Sequence, residues 1–165
     1  MQSRVILGCG NFGGIGSAPA FFGQGESEEE AFAIMDAAWS LGIRDFDTAD
    51  AYGGGRSESF IGSWLRARGT DVRDRIVLTT KTFNPMSDGA DHGLSPERIK
   101  LQIDGSLERL GVESVPLYLA HAMDSAVPVE DSGEATSMFN VSRNLGASFG
   151  LAWIASMLDS RLDYH

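Results

Sequence analysis

DFDTADAYGGGRSE, Asp45 to Glu58, decides how the rest of the chain is read. Asp47, Asp50 and Tyr52 fall close together, just ahead of three consecutive glycines. Ionisable side chains are gathered at the end of an apolar run, and then side chains are given up altogether. The run itself, IRDFDTA (Ile43–Ala49), predicts a strand. After the glycines, SESFIGSWLRARG (Ser57–Gly69) places Ile61, Trp64, Leu65 and Arg68 in helical register.

Outward from this segment the same alternation repeats. On the N-terminal side, RVILG (Arg4–Gly8) predicts a first strand, followed by the Gly-rich loop CGNFGGIGSAPAFFGQGE. SEEEAFAIMDAAWSLG then predicts a helix. Ser27 is its N-cap, and Glu30 completes a capping box. Phe32, Met35 and Trp39 recur at helical spacing, and Gly42 ends the helix. On the C-terminal side, RIVLTTK (Arg75–Lys81) predicts a buried strand and FNPMSDGADHGL a polar loop. SPERIKLQIDGSLERLG predicts a helix with Ser95 as N-cap, Pro96 at its first position and Gly111 at its end. VPLYLAH (Val115–His121) predicts a fourth strand. The order βαβαβαβ calls for a parallel sheet with helical crossovers.

On that reading Asp47, Lys81 and His121 each stand at or just past the C-terminal end of a parallel strand, with Tyr52 in the loop after the second. In an α/β barrel, that end of the strands is where chemistry is assembled. The residue types suit one task. A tyrosine hydroxyl is a poor acid at neutral pH, and an adjacent ammonium makes its proton easier to release. A carboxylate orients that ammonium, and a histidine hydrogen-bonds a carbonyl oxygen. Together they can protonate a carbonyl oxygen as hydride reaches its carbon. Taken singly, each has an ordinary reading: a loop carboxylate, a half-buried loop aromatic, a solvated lysine, a satisfied buried histidine.

The residues RVILGCGNFGG, LGIRDFDTADAYGGGRSESFIGSWL, RIVLTTK and SPERIKLQIDGSLERLGVESVPLYLAH resemble the aldo-keto reductases, from Arg4 to about Asp131. The resemblance implies a TIM barrel and an NADP(H)-dependent reduction of aldehydes or ketones. It makes Tyr52 the general acid, supported by Lys81, Asp47 and His121. It also puts Asp47 and Thr48 near the nicotinamide ribose and Asn11 and Phe12 at the substrate mouth. A (β/α)8 barrel typically takes roughly 250 residues, so a 165-residue chain is expected to hold a partial barrel of about four strands. Most of the family's cofactor contacts come from the second half of the barrel, which implies weak NADPH binding and weak or absent activity for this chain alone.

The remainder is expected to form a separate unit, 132–165, after a half-barrel over 1–131. GEATSMFNVSRNLGASFGLAWIASMLDSRLDYH (Gly133–His165) resembles a segment of major facilitator drug/proton antiporters and predicts a largely helical tail. Its uncharged stretch Leu145–Leu158 falls short of the roughly 20 residues of a membrane span. Two other functional classes stand beside the enzyme: a non-catalytic half-barrel that acts as an interaction module through its sheet edges, and a membrane-associated fusion product.

Composition excludes some partners. A net charge of −10 argues against a nucleic-acid surface, which needs clustered Lys and Arg. With 42% hydrophobic and 22% charged residues the chain reads as an ordinary globular protein. The single cysteine, Cys9, fits a reducing cytoplasm, and MQSRVILGCG lacks the apolar run of a signal peptide. Asp88, Asp91 and His92 read as a solvated loop and not as metal ligands. GCGNFGG does not lead directly into a helix and so is no phosphate fingerprint.

Overall fold

The computed structural model describes residues 5–128. The expected helical tail from about Gly133, and with it the 132–165 unit, lies outside the described residues. Four strands, β1 (Ile6–Gly8), β2 (Asp45–Asp47), β3 (Val77–Thr82) and β4 (Leu117–Ala120), pair in the order β1-β2-β3-β4. All three pairings are parallel, and the register sets Phe46 beside Leu78 and Lys81 beside Leu119. The crossovers carry α1 (Glu28–Ser40), α2 (Arg56–Arg68), the single turn α3 (Thr70–Arg73) and α4 (Pro96–Leu110). This is the expected partial barrel: four parallel strands with intervening helices.

The helix boundaries follow their caps. The Glu30 amide donates to Ser27 Oγ at 3.3 Å while Glu30 Oε2 accepts from the Ser27 amide at 2.9 Å, a complete capping box. Ser95 Oγ accepts from the Arg98 amide, Pro96 occupies the first turn of α4, and Gly111 closes the helix at φ 68°. Pieces the periodicity did not announce are α3 and two short 3-10 turns, Pro19–Phe21 and Tyr52–Gly54. They are too brief to carry a hydrophobic repeat.

Along β3 exposure alternates strictly. Leu78, Thr80 and Thr82 are buried against the helices, while Val77, Thr79 and Lys81 lie on the other face. The core between sheet and helices is built from Phe46 and Leu78 of the sheet, Met35 of α1, Ile61, Trp64 and Leu65 of α2, and Ile103, Leu107 and Leu110 of α4. Trp64 is its largest member. Its ring stacks on Phe46 at 5.5 Å and meets Trp39 edge-on at 5.9 Å, and its indole N–H donates to Asp36 Oδ1 at 2.9 Å. A ring of this size is buried at no polar cost because its one donor is satisfied. Helices α2 and α4 approach closely at Gly62, where an added Cβ would fall 2.1 Å from the Arg109 carbonyl oxygen.

Candidate active site

The four expected catalytic side chains come together at the C-terminal rim of the sheet. Asp47 is the last residue of β2, Lys81 is next to last in β3, and His121 directly follows β4. The pairing of Lys81 with Leu119 puts His121 on the same face one step further along. Tyr52 is brought back over this rim by the 3-10 turn Tyr52–Gly54. Gly53, Gly54 and Gly55 all hold positive φ, at 59°, 68° and 92°, which residues with a Cβ adopt only under strain. Gly53 also lies against the Phe12–Gly13 backbone, where a Cβ would be 2.8 Å from the Phe12 carbonyl oxygen. The three glycines turn the chain sharply from Tyr52 into α2.

Lys81 is the hub. Its Nζ donates to Asp47 Oδ2 at 2.7 Å and to the Thr48 carbonyl at 2.8 Å, and it stands 3.4 Å from the Tyr52 hydroxyl. The ammonium also lies 4.9 Å from the centre of the Tyr52 ring. With one carboxylate and one carbonyl as acceptors, the ammonium is fixed beside the phenol. Tyr52 and His121 meet edge to face, ring centres 5.4 Å apart. Burial pushes the His121 pKa down, and the Lys81 ammonium adds to this against the opposing pull of Asp47. Both effects favour the neutral imidazole, which has one ring N–H to give.

The other expected residues are placed as follows. Thr48 is fully buried, with its hydroxyl 2.8 Å from Ser57 Oγ, so what it offers the site is its carbonyl to Lys81. Asn11 is exposed, while Phe12 is buried in the hydrophobic core. Cys9 is buried as well; burial and the Asp47 charge push its thiol pKa up, as for an inert packed cysteine. His92 packs edge-on to Phe83, and the Asp91 carbonyl accepts from Arg98. Among the described residues no group of three or more His, Cys, Asp or Glu could hold a metal ion, and no helix is long and apolar enough to cross a membrane.

Sequence reasoning passed over the polar layer behind the rim. Thr82 Oγ1 donates to Asp50 Oδ2 at 2.6 Å and accepts from Arg98 Nη1 at 2.9 Å. Arg98, buried in the first turn of α4, also donates to the carbonyls of Gly93 and Asn84. Asn84 in turn reaches His121: its Nδ2 is 3.1 Å from Nδ1 of the imidazole. Asp50 was visible in the same short segment as Asp47. Nothing in the spacing of Asn84 or Arg98 pointed to the site, because their role depends on α4 folding back over β3.

With this geometry in view, the comparisons with known proteins are specific. The family described as "Aldo/keto reductase family" matches residues 4–147, and the chain belongs to that family. The matched residues run past the boundary expected near residue 131. The chain is 39% identical over 142 residues to an uncharacterized oxidoreductase, YrpG, of Bacillus subtilis, covering 81% of this chain and 40% of that protein. It is 33% identical over 172 residues to versiconal hemiacetal acetate reductase of Aspergillus parasiticus, covering 92% and 48%. Among solved structures it resembles the holo form of aldo-keto reductase AKR11C1 from Bacillus halodurans, with a TM-score of 0.68 and 29% identity over 85% of this chain and 43% of that one. The chain thus spans less than half the length of these relatives.

Proposed function

We propose that Asp47, Tyr52, Lys81 and His121 form the proton-transfer site of an NADP(H)-dependent reductase of aldehydes or ketones. The observation that carries this reading is the Lys81 ammonium, held by Asp47 and standing 3.4 Å from the Tyr52 hydroxyl, with the His121 ring edge-on to Tyr52. Tyr52 gives its proton to the carbonyl oxygen of the substrate. Lys81 stabilises the negative charge this leaves on the phenol oxygen, and Asp47 keeps the ammonium in position. His121 donates a ring N–H to the same carbonyl oxygen and fixes its orientation. When bound, the nicotinamide cofactor supplies hydride to the carbonyl carbon.

The donor set fits the reacting end of such a cofactor. Asp47 is a partly exposed carboxylate suited to a ribose hydroxyl, and the Tyr52 hydroxyl and His121 ring converge beside it. The cofactor's phosphates fit less well. The described cations nearest this rim are engaged: Lys81 on Asp47 and the Thr48 carbonyl, Arg98 on Thr82 and backbone carbonyls, and Arg56 on the Gly53 carbonyl at 2.7 Å. Among the described residues the reacting end of the cofactor is better provided for than its phosphates, so weak NADPH binding and slow turnover are expected of this chain. Positioning of reactants is worth roughly 7–11 kcal/mol of a barrier.

Two arms test the assignment. The chain alone is assayed for NADPH oxidation with a reactive aldehyde, beside its Tyr52→Phe variant. Residues 4–131 are then joined to the second half of the Bacillus halodurans reductase barrel, and the same pair is compared. Near-background rates in the first arm and Tyr52-dependent turnover in the second are expected. An active chimera whose rate is unchanged by Tyr52→Phe would overturn the assignment.

The sheet edges favour a second property, self-association. Among the described residues β1 pairs only with β2, Val5 and Ile6 beside it are 59% and 56% exposed, and an apolar edge of this kind is a template for another strand. A single buried cysteine suits a reducing compartment, which for this chain we take to be the cytoplasm.

A further inference from the structure

Asn84 occupies the loop after β3 and has no part in the proton transfer described above. Its backbone is nonetheless clamped. The Asn84 carbonyl accepts from Arg98 Nη2 at 2.7 Å, and the same guanidinium holds Thr82 Oγ1 and the Gly93 carbonyl. The Thr82 carbonyl, two residues before Asn84, accepts from the His121 amide at 2.8 Å. The loop carrying Asn84 and the strand end carrying His121 are thus fixed to one another through backbone groups, and the side-chain contact between Asn84 Nδ2 and His121 Nδ1 is made within that fixed frame.

A neutral imidazole has one N–H and one lone pair, and the partner of one nitrogen decides the role of the other. A carbonyl oxygen only accepts. To orient it, His121 must donate from the nitrogen that Asn84 leaves free, Nε2. This requires the proton on Nε2 and the lone pair on Nδ1, the arrangement that the Asn84 amide N–H supports. If the amide offered its oxygen instead, Nδ1 would carry the proton and Nε2 would have nothing to donate. Lys81 of β3 and Asp47 of β2 act on whether the ring is charged, and Tyr52 meets it edge to face.

We propose that Asn84 is a positioning residue which, by donating its side-chain amide N–H to His121 Nδ1, selects the imidazole tautomer protonated on Nε2 and so makes His121 a hydrogen-bond donor to a carbonyl oxygen. The inference rests on the proposed reductase reading for its purpose and on the Asn84–His121 geometry for its content.

The test reads the ring directly. Long-range nitrogen–proton NMR spectra of the uniformly 15N-labelled chain distinguish a protonated from an unprotonated ring nitrogen. The His121 signals are assigned by their loss in His121→Gln, and spectra are taken well above the pH at which the ring titrates. The wild-type chain is expected to show Nε2 protonated and Nδ1 unprotonated. In Asn84→Asp the carboxylate only accepts, so the proton should move to Nδ1. The titration midpoint of His121 should also rise by about 1–3 pH units, as for a histidine beside an opposite charge. Asn84→Ala should leave a mixture of tautomers. A wild-type ring protonated on Nδ1 overturns the proposal, whether or not the variants fold. An Asn84→Asp chain with an unchanged tautomer and midpoint overturns it too. Turnover does not enter this readout, so the expected tautomer together with an active chimera whose rate is unchanged by Tyr52→Phe counts against the reductase reading and for the role of Asn84.

Discussion

Glu58 of α2 and Arg109 of α4 join through a 2.8 Å bond from Arg109 Nε to a carboxylate oxygen that is wholly buried. The other Glu58 oxygen accepts from Thr80 Oγ1 of β3 at 2.5 Å. One carboxylate thus ties two helices to the strand that carries Lys81. Glu58→Ala leaves the Arg109 charge and the Thr80 hydroxyl without their partner. Loss of one member of a buried pair costs about 3–5 kcal/mol. Glu58→Gln keeps an acceptor oxygen and should cost distinctly less. Urea denaturation of the three chains gives the comparison; a Glu58→Ala midpoint equal to wild type would show that the tie carries no stability.

Asp50 makes stability depend on pH. Burial raises its pKa to about 6, reinforced by Glu58 and opposed by the Thr82 hydroxyl, Arg98 and the Ala51 amide. One of its oxygens, Oδ1, is buried without a hydrogen-bond partner. The folded-state pKa is above the unfolded value of about 3.9, so the folded chain binds this proton more tightly. The stability linked to it is full below about pH 4 and is lost as pH rises to about 6. Asp50→Asn removes the titration. Its stability relative to wild type should climb by up to about 3 kcal/mol across that window. A difference between the two chains that stays flat from about pH 4 to about pH 7 would count against a raised Asp50 pKa.

Lys81→Met in the completed barrel should reduce kcat/KM by about 10²–10⁴-fold, the usual worth of positioned proton transfer. Stability should change little, because the Asp47 carboxylate it leaves keeps access to water. Equal losses of activity and of fold would instead mark Lys81 as a structural residue.

Self-association can be read by light scattering at micromolar concentration. The wild-type chain is expected to be larger than a monomer, and Ile6→Lys, which puts a charge on the exposed edge strand, should shift it toward one. A monodisperse wild-type monomer would remove the edge from consideration.

NADPH fluorescence should show no saturation with the 165-residue chain across the micromolar range, and saturation with the chimera. Tight binding by the chain alone would mean that residues outside the described 5–128, or engaged cations that rearrange, hold the phosphates.

How much of this was legible in the sequence varies with the range of the interaction. The Ser27–Glu30 capping box and the Ser95–Pro96…Gly111 frame are local, and each helix ends where its caps dictate. Asp47, Lys81 and His121 were legible because the C-terminal end of a parallel strand is itself marked by a local pattern. The strands came out shorter than their apolar runs, as with Asp45–Asp47 inside IRDFDTA, although backbone hydrogen bonds to β3 continue past both ends of β2, from Val77 to the Arg44 carbonyl and from Thr48 to the Thr79 carbonyl. Arg98 and Asn84 were not legible at all. A helical arginine and a loop asparagine acquire a role only when α4 lies against β3, and no spacing in the sequence encodes that contact. Phe12, which only the family resemblance put near the substrate mouth, has its backbone paired with Glu26 and its side chain in the core, and neither contact is encoded in the local spacing.

The run Gly53–Gly55 is easily taken for a slack joint, yet each of its amides is committed: Gly53 to the Gly16 carbonyl, Gly54 to Ala51 and Gly55 to Tyr52. What these residues contribute is handedness. With φ positive at three successive positions, the path is one that a mirror-image residue follows in comfort and an ordinary one does not. A semisynthetic chain with D-alanine at Gly55 should keep the fold that L-alanine there strains. The glycines of this turn serve as achiral substitutes for D-residues, and the route from Tyr52 into α2 depends on that.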